Sequence, residues 1–268
     1  MREQDLFAID YPTLCQEGLI ALDIWQTYDV LIVDEGQDIL RDTYVEVLDA
    51  TLRGGLENGK WKMFLDPYQD IFKGIDPEIL KKINVFHPAQ YKLSINCRNT
   101  NSIAIITQIL SGIVSDQILK VEGPDTEQYW YRDERDEIRE VSKCVNHLLS
   151  DKIPASEITI LSPFRRENSC VRNGLVEVVY PLKDLQPNIS DRSMAINFAT
   201  INSFKGLESK VILVVDINNL EDFETRQMIY VGCSRALVFL SVFIFNRLKP
   251  EYLKLARQYG EKLVTTKK

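Results

Sequence analysis

Histidine is scarce, with only His87 and His147. The five cysteines, Cys15, Cys97, Cys144, Cys170 and Cys233, include no Cys-x-x-Cys pair and none beside a histidine. An odd, scattered set of this kind excludes a disulfide framework and a zinc site of the usual spacing. Long apolar runs are missing too. The longest, Val238 to Phe245, is interrupted by Ser241 and is far too short to cross a bilayer. The opening Met-Arg-Glu-Gln-Asp-Leu has no apolar signal core. The chain therefore reads as soluble and cytoplasmic, with no membrane partner. There is no basic excess either: 39 acidic against 32 basic residues give a formal net charge of −7. Any nucleic acid must bind in a local groove, because the overall field repels phosphate. Internal repeats and low-complexity segments are absent.

What is present is enough for a core. Of the 268 residues, 45% are hydrophobic, and the length suits one large or two modest domains. Apolar runs alternate with helical patterns, the signature of a mostly parallel sheet covered by helices. Strands are expected at Tyr28 to Val33, Trp61 to Leu65, Glu157 to Leu161, Met194 to Ile201, Lys210 to Val215 and Ala236 to Phe245. The first two end abruptly in carboxylates, Asp34 and Asp66. Helices are expected at Asn99 to Leu110, with Thr100 as cap, and at Asp133 to Leu149, where Ile138, Val141, Val145 and Leu148 form one stripe. Two more are expected at Glu224 to Ser234 and Glu251 to Lys262. The charge run from Asp133 to Glu137 reads as a solvated helix start. Gly54 to Lys60 reads as a turn, and Pro181 to Ser190 as a loop.

The sharpest local feature is Val33-Asp34-Glu35-Gly36-Gln37-Asp38, directly after a strand. Ligands of open α/β sheets gather at the carboxyl ends of strands, where one carboxylate can hold magnesium and its neighbour can activate water. Taken alone, an Asp-Glu pair is more often a strand-ending turn with solvated acids. Four further segments follow in order: Leu65-Asp66-Pro67-Tyr68-Gln69-Asp70-Ile71-Phe72, Asn96-Cys97-Arg98-Asn99-Thr100, Thr200-Ile201-Asn202-Ser203-Phe204-Lys205-Gly206-Leu207-Glu208 and Tyr230-Val231-Gly232-Cys233-Ser234-Arg235. Together the five resemble motifs II to VI of the superfamily 1 helicases of the UvrD/Rep type, over about Tyr28 to Phe245. Within that family they are most similar to the bacterial helicase-like ATPases often joined to a nuclease-related domain.

The resemblance implies RecA-like parallel sheets flanked by helices, of the P-loop NTPase type. It also implies ATP and Mg2+ as cofactors and single-stranded DNA, less readily RNA, as partner. Asp34 would hold the magnesium, and Glu35 would orient or deprotonate the attacking water. Gln69 would sense the γ-phosphate, supported by Asp66. Arg98 and Arg235 would act as arginine fingers, whose fixed guanidinium donors suit a phosphoryl-transfer state as lysine does not. Glu208 would hold the ribose. Thr200 and Ser203 would lie near the nucleic-acid backbone, Lys205 and Gly206 would shape that loop, and Phe72 would stack on a base. Leu65 departs from the family's usual glycine and Asn202 from its frequent histidine.

One expected part is missing from the sequence. No G-x-x-x-x-G-K-[ST] loop occurs, and the 33 residues before Asp34 are too few for the family's spacing. The chain thus reads as the C-terminal part of a longer ATPase. Residues 1–89 would be the later part of a first RecA-like domain, and residues 90–268 a complete second one. The loop would come from the same polypeptide or a partner chain. Without its strand, Trp61 to Leu65 would have an open edge inviting self-association. The competing reading is a non-processive regulatory or sensing module on a helicase scaffold.

Overall fold

The computed structural model describes residues 6–71, 75–93, 95–113, 117–118, 121–185 and 194–266. The chain divides into two compact units, Met1–Lys92 and Leu93–Lys268.

In the first unit, helix α1 (Tyr11–Leu22) has Pro12 in its first turn, where no amide is needed, and stops at left-handed Asp23. Strand β1 (Val30–Val33) is followed by α2 (Asp42–Thr51), the single turn α3 (Gly55–Asn58), β2 (Lys60–Met63) and α4 (Pro77–Val85). β1 and β2 are parallel, Val30 opposite Lys60 and Val33 opposite Met63, and make a two-stranded sheet. Asp76 caps α4 by accepting from the Glu78 amide at 2.8 Å, and Pro77 opens it. Ile79 and Ile83, four apart and so on one helix face, are buried with Leu40 against Val45, Trp61 and Met63.

The expected first two strands are thus present but shorter than the apolar runs. Tyr28 makes only an isolated bridge to Leu52, and β2 stops at Met63 rather than Leu65. Much of this sheet faces solvent: Val30 is 54% and Ile32 67% exposed. Among the described residues, only β1 pairs with β2.

The second unit begins with the short parallel pair β3 (Ile95–Asn96) and β4 (Gln117–Ile118), with α5 (Asn101–Ser111) between them. The main sheet follows: β5 (Glu127–Tyr131), α6 (Glu134–Ser150), β6 (Ile158–Ser162), β7 (Leu182–Asp184), β8 (Ile196–Thr200), β9 (Ser209–Ile217), α7 (Phe223–Ser234), β10 (Ala236–Phe245) and α8 (Lys249–Thr266). Its order is β5-β10-β9-β6-β8-β7, and every pairing is parallel. The fold class is therefore α/β with a RecA-like six-stranded parallel sheet flanked by helices.

Burial on both faces explains the unbroken apolar runs of β6, β9 and β10, in which Ile158 and Ile160, Ile212 and Leu213, and Val242 and Phe243 are fully buried. Helix α6 is amphipathic as expected. Its cap Asp133 accepts from the Asp136 amide at 2.9 Å, and Val141, Cys144, Val145 and Leu148 pack into the core. α5 buries Ile103, Ile106 and Leu110, but Thr100 occupies its cap position without a side-chain cap hydrogen bond, contrary to expectation. Instead Thr100 packs against Gly123, where an added Cβ would come within 2.4 Å of its Cγ2. The segment expected as a loop from Pro181 holds β7, a three-residue edge strand too short to show a period; residues 186–190 lie outside the described residues. Among the described residues no helix is long and apolar enough to cross a membrane.

Candidate functional site

Asp34, Asp66, Arg98 and Thr200 lie at or just after the ends of parallel strands, whereas Glu208 and Arg235 immediately precede the first residues of β9 and β10. In the first unit, pairing continues past the strands through the Phe64 amide to the Val33 carbonyl and the Gly36 amide to the Phe64 carbonyl, each 2.8 Å. The glycine matters here: a Cβ at Gly36 would meet Met63 Cγ at 2.6 Å. This crossing brings the Asp34–Asp38 and Asp66–Gln69 turns side by side. Asp34 is exposed, and its Oδ1 accepts from the Glu35 amide at 3.0 Å. Glu35 has a φ of 52°, a left-handed backbone that a non-glycine residue keeps only where its surroundings hold it.

Gln37 provides that hold. It is fully buried, its Nε2 donates to Glu35 Oε2, and its Oε1 accepts from the Asp66 amide at 2.9 Å. Asp66 in turn caps its own turn by accepting from the Tyr68 amide at 3.0 Å and from Gln69 Nε2 at 2.9 Å. Glu35, Gln37, Asp66 and Gln69 thus form one hydrogen-bonded corner beside Asp34. Gln37 was not singled out in the sequence, although it stands inside the Asp-Glu-Gly-Gln-Asp motif. Leu65 is 40% exposed at the same corner. Phe72, the expected stacking residue, lies outside the described residues.

In the second unit, Asn96 organises the turn before α5: its Oδ1 accepts from the amides of Arg98 (3.0 Å) and Asn99 (3.3 Å). Asn99 is 2% exposed, and its Nδ2 donates to two main-chain carbonyls, Ser234 at 3.0 Å and Ala236 at 2.7 Å. Those carbonyls flank Arg235, so this one amide fastens the Arg98 turn to the end of α7. Arg235 is 3% exposed, and its carbonyl accepts from the Ser209 amide at 3.1 Å, next to Glu208. Arg98 Nε lies 3.9 Å from Glu208 Oε2, with both side chains about half exposed. An exposed pair at this range holds its partners only weakly, by ~0–1 kcal/mol, and leaves Arg98 able to turn to a stronger anion.

Thr200, paired in register with Ser162, ends β8. Its Oγ1 donates to Ser203 Oγ at 2.9 Å and accepts from the Ser203 amide at 3.1 Å, and Ser203 Oγ donates back to the Thr200 carbonyl. Asn202 is exposed on this turn, and Gly206 takes a φ of 84° in its exit.

The residues present suit one side of a magnesium nucleotide. Magnesium keeps most of its waters and takes one or two protein carboxylates, which Asp34 at the strand end can supply, with Glu35 beside it for a water. The phosphate cradle is not supplied by this sequence.

Comparisons give the fold a context. No protein-family model matches the chain, and no curated protein matches it. Among solved structures, yeast (S. cerevisiae) Dbp5 bound to RNA and ADP-BeF3 is similar over 92% of this chain and 61% of that one, with 10% identity and a TM-score of 0.50. The C-terminal domain of a possible DNA helicase from Lactobacillus plantarum matches over 59% of this chain and 92% of that one, at 18% identity and a TM-score of 0.46. The arterivirus nonstructural protein 10 helicase matches over 84% and 40%, at 12% identity and a TM-score of 0.40. The chain thus spans about three fifths of the Dbp5 chain, and what the two share is the fold.

Proposed function

We propose that this chain is the part carrying motifs II to VI of an ATP-driven helicase or translocase of the UvrD/Rep type, moving on single-stranded DNA. Residues 1–89 belong on this reading to the first motor domain and residues 90–268 to the second. The observation that carries it is the corner in which Gln37 joins Glu35 to Asp66 and Gln69: a water-orienting acid and a phosphate-sensing amide locked together beside the carboxylate Asp34. Bound MgATP would supply the phosphoryl group and the driving free energy. Asp34 would hold the metal, Glu35 a water, Arg98 and Arg235 the terminal phosphate, Glu208 the ribose, and Thr200 and Ser203 the strand backbone.

Among the described residues β2 pairs with β1 alone, and on this reading its other edge would take a further strand carrying the phosphate-binding loop, from the same polypeptide or a partner chain. The exposed Val30 and Ile32 beside it support self-association where that strand is absent. Steady-state ATP turnover with excess single-stranded DNA, by the chain alone and within a polypeptide that carries the loop, is the test. Turnover that needs the loop and disappears in Glu35→Gln supports the reading. Turnover untouched by Glu35→Gln refutes it.

The exposed Leu65, in place of the family's glycine, favours a second reading, a sensor that hydrolyses ATP without separating strands. A strand-displacement assay on the loop-bearing protein separates the two.

A further inference from the structure

At the carboxyl ends of β6 and β9 lies a buried polar cluster that none of the motif residues accounts for. Asp216, near the end of β9, is 7% exposed and takes a φ of 61°. Its Oδ2 accepts from two hydroxyls, Ser162 Oγ and Ser169 Oγ, each at 2.6 Å, and its Oδ1 accepts from the Cys170 amide at 3.0 Å. The Asp216 amide donates to Glu137 Oε1 of α6 at 2.6 Å. Ser162 Oγ also accepts from the Phe164 amide at 3.0 Å. A single carboxylate therefore fastens both ends of the loop 163–168, whose outer side presents Phe164, 37% exposed, and exposed Arg165. The same loop is tied sideways: Ser162 is paired with Thr200, and its carbonyl accepts from the Ile201 amide at 2.9 Å. The base of the loop is thus tied to the start of the Thr200–Ser203 turn, and Phe164 and Arg165 follow that base within three residues; an aromatic ring and a guanidinium are the combination that suits a flexible single strand.

We infer that Asp216 is a positioning residue for strand binding: its carboxylate clasps the loop 163–168 closed and holds Phe164 and Arg165 beside the Thr200–Ser203 turn, with Glu137 holding Asp216 in place. This rests on the strand-binding reading above. The clasp works by preorganisation, because a loop already ordered in the free protein does not have to be ordered on binding. It also carries a pH dependence. The groups facing Glu137 are Asp216 of β9, Cys170 just past the loop, Tyr131 of β5 and Glu134 of its own helix, and Glu134 is paired with Arg172. Burial, and then the Asp216 charge, push Glu137 up to about 8, while burial also raises the Tyr131 hydroxyl and the Cys170 thiol. At neutral pH Glu137 is therefore protonated and tolerates Asp216. Above about pH 8 it ionises, and two buried carboxylates repel across the clasp.

The test is binding of a fluorescent oligothymidylate to the full 268-residue chain, read by anisotropy for the parent, Asp216→Ala, Arg165→Ala, the double variant and Glu137→Gln. Amide exchange of residues 163–171 is read alongside. Asp216→Ala is expected to weaken binding about tenfold, the scale of re-ordering two side chains and their loop. Exchange should rise in 163–171 while β8 to β10 stay protected. The double variant should bind little worse than Arg165→Ala, since Asp216 acts through that loop. Parent affinity should fall above pH 8 and that of Glu137→Gln should not; this arm decides the matter if Asp216→Ala does not fold. Parent-like binding by Asp216→Ala, losses that simply add, or identical pH profiles for the parent and Glu137→Gln would overturn the inference. A parent chain that binds no single strand at any pH would instead overturn the strand-binding reading itself.

Discussion

Replacing Asn99 with alanine isolates the contact that joins the Arg98 turn to the Arg235 segment. The side chain is 2% exposed and donates to the carbonyls of Ser234 and Ala236, while its Oδ1 accepts from Asn96 Nδ2 at 3.0 Å. Truncation leaves two carbonyls without that donor in a place water cannot readily reach. A buried acceptor stripped of its partner costs about 1–3 kcal/mol, so the variant should lose about 2–4 kcal/mol once local relaxation is allowed for. In a unit the size of Leu93–Lys268, 1 kcal/mol moves the melting temperature by about 2–4 °C, and the expected fall is roughly 5–15 °C. Scanning calorimetry reads it, because the transition of the second unit should move and that of the first should not. Asn99→Asp is the control. It keeps the shape but sets an anion against two carbonyl oxygens, and should be at least as harmful. If Asn99→Ala melts within the range of an ordinary surface substitution, about 0.5 kcal/mol, the clamp does not fasten these segments and the reasoning fails.

Three further outcomes follow from groups already described. Glu137 has its folded value raised above the usual carboxyl value, so the folded chain holds a proton that the unfolded chain has lost. Its contribution is complete below about pH 4.5 and declines as pH rises to about 8, at up to about 1.4 kcal/mol per pH unit. Glu137→Gln should therefore gain on the parent steadily across that window, and urea midpoints that shift in parallel would contradict it. Gln37→Ala should release the corner, at a loss of about 1–3 kcal/mol and with faster amide exchange at Asp66 and Gln69; unchanged exchange there would refute the bridge. Asp133→Ala removes the cap that accepts from the Asp136 amide and should cost about 1 kcal/mol, read as a lower urea midpoint with an unchanged m-value.

The sheet was legible in the sequence where strands are buried on both faces. β6, β9 and β10 announce themselves as apolar runs because parallel strands between helices have no polar face. β5 was not foreseen: Glu-Gln-Tyr-Trp-Tyr sits at the sheet's edge, half solvated, and shows no apolar run. β3, β4 and β7 are two or three residues long and leave no period to read. Helix α2 escaped notice because Thr, Tyr and Val weaken helical propensity, and α4 was missed as well, although Asp76-Pro77 is a readable helix start. At the sites, motif order brought out the charged residues but not the amides that hold them. Gln37 and Asn99 act through main-chain groups of distant segments, and no spacing rule reports that. Asp216 is the instructive case. It ends an apolar strand just as Asp34 and Asp66 do, yet it is buried among hydroxyls where Asp34 faces solvent.

The place of β5 in the sheet has a consequence for biosynthesis. Among the described residues its one strand partner is β10, with Glu127 opposite Ser241, a separation of 114 residues. At about 5–20 residues per second, a ribosome needs roughly 6–23 s to make the intervening chain, and the partner must then clear the exit tunnel. Through that interval Tyr129, Trp130 and Tyr131 have no partner strand, while β6, β8 and β9 are made in turn and can already pair with one another. The last strand of the sheet to be synthesised is thus the one that recruits the first. A nascent chain stalled before Ala236 should offer this aromatic strand to chaperones, and release should follow once Phe245 emerges.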